Sequence, residues 1–406
     1  MERDSLIRTL FVTIVAEVIS FGVVVPIVPL LFTEPSSKFY ILSGSITVQT
    51  GYILLGLTIG LYPLGQFIST PILGELSDVY GRKKVIQLSA AGTVLASLIF
   101  AYGVVEESFL VLFASRFVNG LTGGLISVAQ ATVADVTDNE HKSEGFGILG
   151  AAFGVGFMLG PFLGGILSSE MFAVLGVVTP FIFAAGLSTL SIFFVGFKLR
   201  ETSPMDKSSI NWRKPFSQLK KGVKIPGIRK LLGTNFFYFS GFAFFTTFIP
   251  VFLVERFGFN QVQTGNFFFY IGILVIIGQG YLVPKVFNKL EEERVMPVTL
   301  FFTGFFILLQ PFTSTLAVFL VAVTLFSISN AFTTVSLNSL VSNKSPDKDQ
   351  GLALGTNSSL RALGNAVPSM LSGVAAAAFL ASTPLIIAGL ILMVTAIAYK
   401  LLEKLR

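Results

Sequence analysis

The chain has 406 residues and a formal net charge of +6; 53% of its residues are hydrophobic, only 12% are charged, and its mean hydropathy is +0.79. Soluble globular chains carry roughly 25% charged residues, so this composition excludes a water-soluble fold and requires lipid as solvent. The chain has no cysteine and a single histidine, His141, which excludes thiol chemistry and disfavours histidine-based hydrolytic or metal sites.

Apolar stretches of about 20 residues, long enough to cross a bilayer as helices, recur along the chain. The first stretch is too long for a signal peptide and has no small-residue cleavage site after it, so we interpret it as an uncleaved span. The twelve predicted spans are residues 6–32, 45–73, 85–105, 108–134, 145–168, 172–197, 231–254, 264–287, 295–312, 315–342, 351–379 and 382–400. The sequence therefore predicts an all-α membrane protein.

Lysines and arginines are distributed unevenly between the two sides of these spans. Lys38 and Arg256 lie in predicted outer loops and Arg116 and Arg361 lie within spans, whereas all others are assigned to inner loops and tails. The positive-inside rule then predicts that both termini are cytoplasmic in a multi-pass protein of the inner (plasma) membrane. The positive net charge follows from this topology, and we expect no nucleic-acid partner.

A basic segment separates spans six and seven. Residues 198–230 carry ten lysines and arginines against two acidic residues. The stretch from Trp212 to Lys224 fits an amphipathic helix on the anionic inner leaflet, and a solvated linker fits equally well. Either interpretation predicts an N-terminal six-helix bundle (1–197), a linker and a C-terminal six-helix bundle (231–406).

Two motifs recur in both predicted halves, in the same order and at similar offsets. They are Gly65-Gln66 with Pro71, repeated as Gly278-Gln279 with Pro284, and Gly160-Pro161, with a weaker counterpart in Val367-Pro368. Such repeats are typical of transporters whose halves share one central site.

The loop after the second span reads Gly74-Glu-Leu-Ser-Asp78-Val-Tyr-Gly81-Arg82-Lys-Lys. Glycines permit a tight turn, and Asp78 suits the N-terminus of a neighbouring helix. The loop resembles the signature loop of the major facilitator superfamily, Gly-x-Leu-x-Asp-x-x-Gly-Arg-Lys. The resemblance implies the two-bundle fold of that family and assigns Gly74, Asp78, Gly81 and Arg82 to a cytoplasmic gate, to which Asp135 is added by its position.

The fourth span is similar to the family's second motif. It reads Leu112-x-x-x-Arg116-x-x-Asn119-Gly120, with Asn119 in place of the usual glutamine and Thr122 in place of the usual glycine. These departures leave Arg116 as the residue that carries this part of the resemblance.

The fifth span matches the pattern that marks antiporters in this family. The matching residues are Gly156, Gly160, Pro161, Gly164 and Gly165. Glycines four apart let helix backbones approach and the proline bends the span, so ordinary small-residue packing is the alternative interpretation.

Two further spans resemble the tetracycline-type drug:proton antiporters of the family. Glu17 precedes Pro26 by nine residues and Pro29 by twelve, the spacing of an acid before Pro-x-x-Pro in that branch. The eleventh span, from Gln350, is also similar to the branch, except at Arg361 and at Val367.

Three charges are predicted to lie near the bilayer midplane: Glu17, Arg116 and Arg361. Each costs roughly 2.5–3.5 kcal/mol to insert, so such groups pair or face a water-filled cavity. We expect Glu17 to carry a proton and Arg116 to tune it, with a structural ion pair as the alternative. Arg361 would bind an anionic substrate group, steady the proton site or cap a polar seam.

Four amides within spans are candidates for the substrate cavity: Asn119, Asn235, Asn330 and Asn338. An unpaired amide is costly in lipid, so interhelical hydrogen bonds are an equal alternative. Phe239, one turn from Asn235, is an aromatic candidate, whereas most phenylalanines of the seventh span should face lipid.

These observations predict a secondary transporter that exports a small amphipathic or hydrophobic compound in exchange for protons by alternating access. It would be a monomer, not an enzyme, with no cofactor and no metal. A proton-coupled importer or facilitator of a sugar or lysolipid remains an alternative, as does a non-transporting receptor or scaffold. If Glu17 is not the proton carrier, Asp135 and Glu75 are the next candidates.

Overall fold

The structure is a computed structural model and describes residues 2–42, 46–137, 142–172, 176–202, 214–346 and 350–404. No β-strand occurs among these residues. His141 and Trp212 lie outside them. Sixteen α-helices are found: α1 (Glu2–Gly22), α2 (Val28–Phe32), α3 (Val48–Tyr80), α4 (Arg82–Val105), α5 (Phe109–Thr122), α6 (Leu125–Val136), α7 (Lys142–Leu167), α8 (Thr179–Lys198), α9 (Lys214–Gly222), α10 (Arg229–Phe257), α11 (Gln261–Ile277), α12 (Val283–Phe287), α13 (Glu292–Leu309), α14 (Leu316–Asn343), α15 (Gln350–Ala378) and α16 (Thr383–Lys404).

Three predicted spans consist of two helices each. The first is α1 followed by α2, interrupted before Pro26, which lacks an N–H group and clashes with the preceding turn. The fourth is α5 and α6, broken at Gly123-Gly124. The eighth is α11 and α12, joined by a π-helical turn at Gly278–Leu282. The remaining spans are single helices, several of which extend beyond the predicted bounds.

Eleven segments in the described part of the chain are long and apolar enough to cross a membrane. Helix α15, at 29 residues, is the twelfth crossing of the fold. Its composition explains its low hydropathy, because it is rich in small and polar residues such as Ser358, Ser359 and Asn365. It packs against α3 and α10, while Val367, Leu371 and Val374 form an exposed apolar face.

The helices form two bundles of six spans with the same packing pattern. In the first, α1 packs on α7 and α8, and α4 packs on α5 and α8. In the second, α10 packs on α15 and α16, and α13 packs on α14 and α16. Helix α9 belongs to the segment between the bundles and contacts both α15 and α3. The bundles meet along two seams, α3 with α15 and α7 with α11.

The α3–α15 seam is closed at one end and open at the other. A Cβ atom added to Gly56 would lie 2.8 Å from the Ser369 carbonyl oxygen, and one on Gly373 would lie 2.4 Å from that of Tyr52, so the backbones touch there. Near the other end of the same helices, Gly74 and Gly351 have no such neighbour within 4 Å.

The α7–α11 seam is likewise closed at one end and open at the other. A Cβ atom on Gly265 would lie 2.8 Å from the Pro161 carbonyl oxygen, whereas Gly147 and Gly280 have no neighbour within 4 Å. Both seams therefore close at the end remote from the loop at residues 74–82 and separate at the end that carries this loop.

Candidate functional site

A cavity of about 1480 Å³, including its open mouth, lies between the two bundles. It is lined by α1, α2, α3, α5, α6 and α7 of the first bundle and by α10, α11 and α15 of the second. Among the lining residues, the charged side chains are Glu17, Arg116 and Arg361.

Glu17 is a buried acid whose partner is a hydroxyl group. The residue is 4% exposed, and Thr93 Oγ1 in α4 lies 2.9 Å from both of its carboxyl oxygens. Thr93 has one hydroxyl hydrogen, so it donates to one oxygen at a time. No basic group of the described residues forms an ion pair with Glu17. The alternative interpretation, a structural Glu17–Arg116 ion pair, is thus not formed in this conformation.

Arg116 contacts aromatic rings instead. Its guanidinium carbon lies 5.5 Å from the Phe21 ring centre and 5.1 Å from that of Tyr62. The residue is 2% exposed, and its Nε and Nη2 atoms have no hydrogen-bond partner among the described residues. Cation–π contacts provide about 2 kcal/mol when desolvated, which compensates for only part of the cost of burying a charge.

Arg361 joins the two bundles. Its guanidinium carbon lies 4.7 Å from the ring centre of Phe153, in α7, and 4.6 Å from that of Phe239, in α10. Phe239 was a candidate on sequence grounds and lines the cavity, whereas Phe153 was missed. Among 43 phenylalanines, nothing in the sequence distinguishes Phe153, because only the bundle arrangement places it opposite α15.

The four asparagine candidates are absent from the cavity lining. Asn235 donates to Asn357 Oδ1 at 2.6 Å, and Asn330 accepts from the Tyr238 hydroxyl at 2.7 Å, so both join helices of the second bundle. Asn119 is buried in α5 and Asn338 is exposed in α14. For Asn235 and Asn330 the structure favours the interhelical alternative.

The glycines of the antiporter-like motif bring α7 against α1. A Cβ atom on Gly160 would lie 2.8 Å from Gly22 Cα, and one on Gly164 would lie 2.4 Å from the Val23 carbonyl oxygen. Gly156 meets Val18 in the same way. Pro161 lies in this contact, and Gly165 instead faces Gln261 of α11. Close contact along α1 fixes the helix that carries Glu17.

The charged loop residues form a compact network around Arg82. Its guanidinium contacts Asp78 at 2.6 Å, Asp135 at 3.0 Å and the Ser77 hydroxyl. Asp78, which the sequence suggested for the N-terminus of a neighbouring helix, contacts the side chain of Arg82, the first residue of α4.

Glu201 occupies the N-terminus of α4. Its carboxylate accepts from the backbone N–H of Arg82 at 2.7 Å, where the helix dipole favours an anion. Gly81, with φ of +95°, makes the turn, and a Cβ atom there would collide with Glu201. Sequence reasoning missed this contact because Glu201 is distant in sequence and belongs to the basic segment.

No group of three or more histidine, cysteine, aspartate or glutamate residues able to hold a metal ion is found in the described part of the chain. The described site thus consists of a cavity, three charged side chains that line it, and the network around Arg82 at its open end. Two bundles of six helices around such a cavity define a multi-pass membrane transporter rather than an enzyme.

The sequence model of the Major Facilitator Superfamily matches residues 10–368, so the chain belongs to this family. It is 28% identical over 305 residues to the class H tetracycline resistance protein of Pasteurella multocida, covering 73% of this chain and 70% of that protein. Two crystal structures are also similar: the human organic anion transporter MFSD10 (TM-score 0.75, 22% identity, 98% of this chain and 99% of that one) and a D-xylose–proton symporter (TM-score 0.77, 15% identity, 97% and 96%).

Proposed function

We propose that this protein is a proton-coupled exporter of a small amphipathic or hydrophobic compound, and that Glu17 carries the proton. The observation that carries the proposal is that Glu17, the one acid among the described lining residues, is buried and bonded to Thr93 in a cavity between two bundles that separate at one end only. The likeness to tetracycline resistance proteins supports export over import.

Burial without a nearby cation favours the neutral form of the Glu17 carboxyl group, because an isolated carboxylate is costly in a medium of low dielectric constant. Opening of the other end would bring water to the same group and favour release of the proton. Arg116, which lies in α5 and lines the same cavity, would then stabilise the carboxylate. Each cycle would thus exchange a proton for a substrate molecule.

We further propose, from the positive-inside distribution of lysines and arginines, an inner-membrane location with both termini cytoplasmic. The open end of the cavity would then face the cytoplasm, where an exporter collects its substrate. Arg82, with Asp78 and Asp135, would hold the first bundle rigid at this end while the seams open and close.

The test has two steps, on purified full-length protein. A thermal-shift screen against drugs and metabolites selects a binder, because a ligand of the native state raises its stability. Proteoliposomes are then given a pH gradient of either sign. An antiporter accumulates the compound when the lumen is acidic, in whichever orientation it is inserted, whereas a symporter accumulates it when the exterior is acidic.

Accumulation driven by an acidic exterior would contradict export and support the importer. Absence of counterflow of a compound that binds would support a receptor or scaffold. Neither result depends on knowing the natural substrate in advance.

A further inference from the structure

The cavity contains two cations and one acid. Of the described residues that line it, Glu17 is the only acid, against Arg116 and Arg361. Glu17 can neutralise at most one arginine in any conformation, so at least one cation stays uncompensated throughout the cycle. Neither arginine pairs with Glu17 in this structure, and Arg361 is the one that lies in the second bundle, against aromatic rings of both bundles.

The aromatic contacts of the arginines leave their hydrogen-bond donors available. Phe153 and Phe239 approach Arg361 within 4.7 Å and 4.6 Å of their ring centres, and a ring face attracts the charge without accepting the in-plane N–H groups. The contacts found for the Arg361 guanidinium among the described residues are these two rings, and the residue lines the cavity. A planar guanidinium with free donors matches the two oxygens of an oxyanion.

We propose that the substrate is an organic anion, with a carboxylate, sulfonate or phosphate head bound by Arg361 and an apolar, aromatic body. The body would lie on the phenylalanines that line the same cavity, which are Phe21, Phe157, Phe242 and Phe268 in addition to the two that flank Arg361. This proposal rests on the proposed transport function and adds the charge of its substrate. Because Phe153 and Phe239 belong to different bundles, the head group binds where the two bundles meet.

The test compares two probes that share one aromatic body: 2-naphthalenesulfonate, a permanent anion, and the uncharged 2-naphthalenesulfonamide. Binding to the full-length wild-type protein in detergent is measured by calorimetry. A charge-assisted hydrogen bond predicts that the sulfonate binds about tenfold or more tightly than the sulfonamide. Equal affinities in the wild type, or no sulfonate binding, would overturn the proposal.

Two substitutions at Arg361 test whether this residue causes the preference for the sulfonate over the sulfonamide. Arg361→Gln should lower the affinity for the sulfonate to that for the sulfonamide, and Arg361→Lys should retain part of the difference because it keeps the charge. Lys38→Gln, which removes a cation outside the cavity, is the matched control and should bind as the wild type does. Sulfonate selectivity that survives in Arg361→Gln would overturn the assignment, and sulfonamide binding reports that the cavity is folded.

These measurements need no proton gradient, so they are independent of the proposed coupling. If the sulfonate binds selectively but proteoliposomes do not accumulate it, the transport proposal fails and the anion site stands. In vesicles, export of one anion with import of one proton moves two charges across the membrane. The limiting concentration gradient of the sulfonate should therefore change about a hundredfold per 60 mV of membrane potential, whereas that of the uncharged sulfonamide should change about tenfold. A tenfold dependence for both probes would contradict anion export.

Discussion

The two bundles carry ion pairs at the same position, with opposite polarity and different burial. In the first bundle, Arg82 at the start of α4 pairs with Asp135 near the end of α6; the two side chains are 10% and 29% exposed. In the second bundle, Glu293 near the start of α13 pairs with Lys344, next to the end of α14; these are 38% and 37% exposed. The pseudo-symmetry therefore preserves a contact between two loops while exchanging its charges.

Burial distinguishes the Arg82–Asp135 pair from the Glu293–Lys344 pair. Arg82 bonds to Asp78 and Ser77 as well as to Asp135, so removal of its charge leaves several groups unpaired. A half-exposed pair such as Glu293–Lys344 is solvated on both sides, and such pairs contribute at most about 1 kcal/mol. The same asymmetry holds at the centre, where the described lining residues of the first bundle include an acid and those of the second include none. The first bundle thus concentrates the proposed proton chemistry.

The largest effect is expected from Glu17→Gln, which makes the two bundles alike in lacking a cavity acid. A potential of about 100 mV and one pH unit together supply roughly 3.7 kcal/mol, a gradient of a few hundredfold for a neutral substrate. The variant should lose this accumulation entirely while still binding substrate and exchanging it passively. Proteoliposome uptake measures it, with Glu106→Gln, at an exposed acid, as the control. Proton-driven accumulation that persists in Glu17→Gln would refute the assignment.

Arg82→Ala should have the next largest effect, because Asp135 loses its cation in a partly buried position. We expect a loss of about 2 kcal/mol in the free energy of unfolding and a roughly tenfold fall in transport rate. Thermal unfolding and vesicle uptake measure the two. Lys84→Ala, two residues along and exposed, is the control. If both variants unfold and transport alike, the network has no role at the gate.

In the second bundle, Glu293→Lys or Lys344→Glu alone should lower stability by less than about 1 kcal/mol. The double variant should recover most of this loss, since the pair is half-exposed, but not the part due to the hydrogen bond between Glu293 and the Tyr399 hydroxyl. The corresponding exchange in the first bundle, Arg82→Asp with Asp135→Arg, should not recover, because Asp78 and Ser77 would lose their donor. If thermal unfolding showed that both charge exchanges restore stability equally, burial would not distinguish the two ion pairs.

The smallest effect is expected at Lys38 and Glu170, an exposed pair 2.8 Å apart in the predicted outer loops. The hydrogen bond and charge of Lys38 hold the pKa of the Glu170 carboxyl group below its usual value. The pair therefore stabilises the fold above the unfolded-state pKa, and this contribution disappears as the pH falls through the folded-state pKa. Because the pair is exposed, Lys38→Gln should unfold within error of the wild type at neutral pH. If Lys38→Gln were clearly less stable than the wild type at neutral pH but equally stable in acid, Lys38 and Glu170 would be coupled more strongly than solvent screening allows.

The sequence by itself predicted the class and the approximate spans, because hydrophobic length, basic loops and the motif at residues 74–82 are local properties. It also identified the three charges, since charges inside spans are rare and costly whatever their partners. It did not predict the three helical interruptions or the helices that extend beyond the predicted bounds, because breaks at Pro26 or Gly123 depend on what packs beside the chain.

Only the tertiary structure decided which partners those charges have. Arg116 contacts Phe21 and Tyr62 rather than Glu17, and Glu17 instead contacts Thr93 on α4. Threonines and phenylalanines occur in most spans, so no sequence signal selects the ones that bundle packing brings to the cavity. The open end of the seams was likewise undetermined by the sequence, because alternating access requires that one sequence be compatible with both arrangements, and only the contacts between bundles distinguish them.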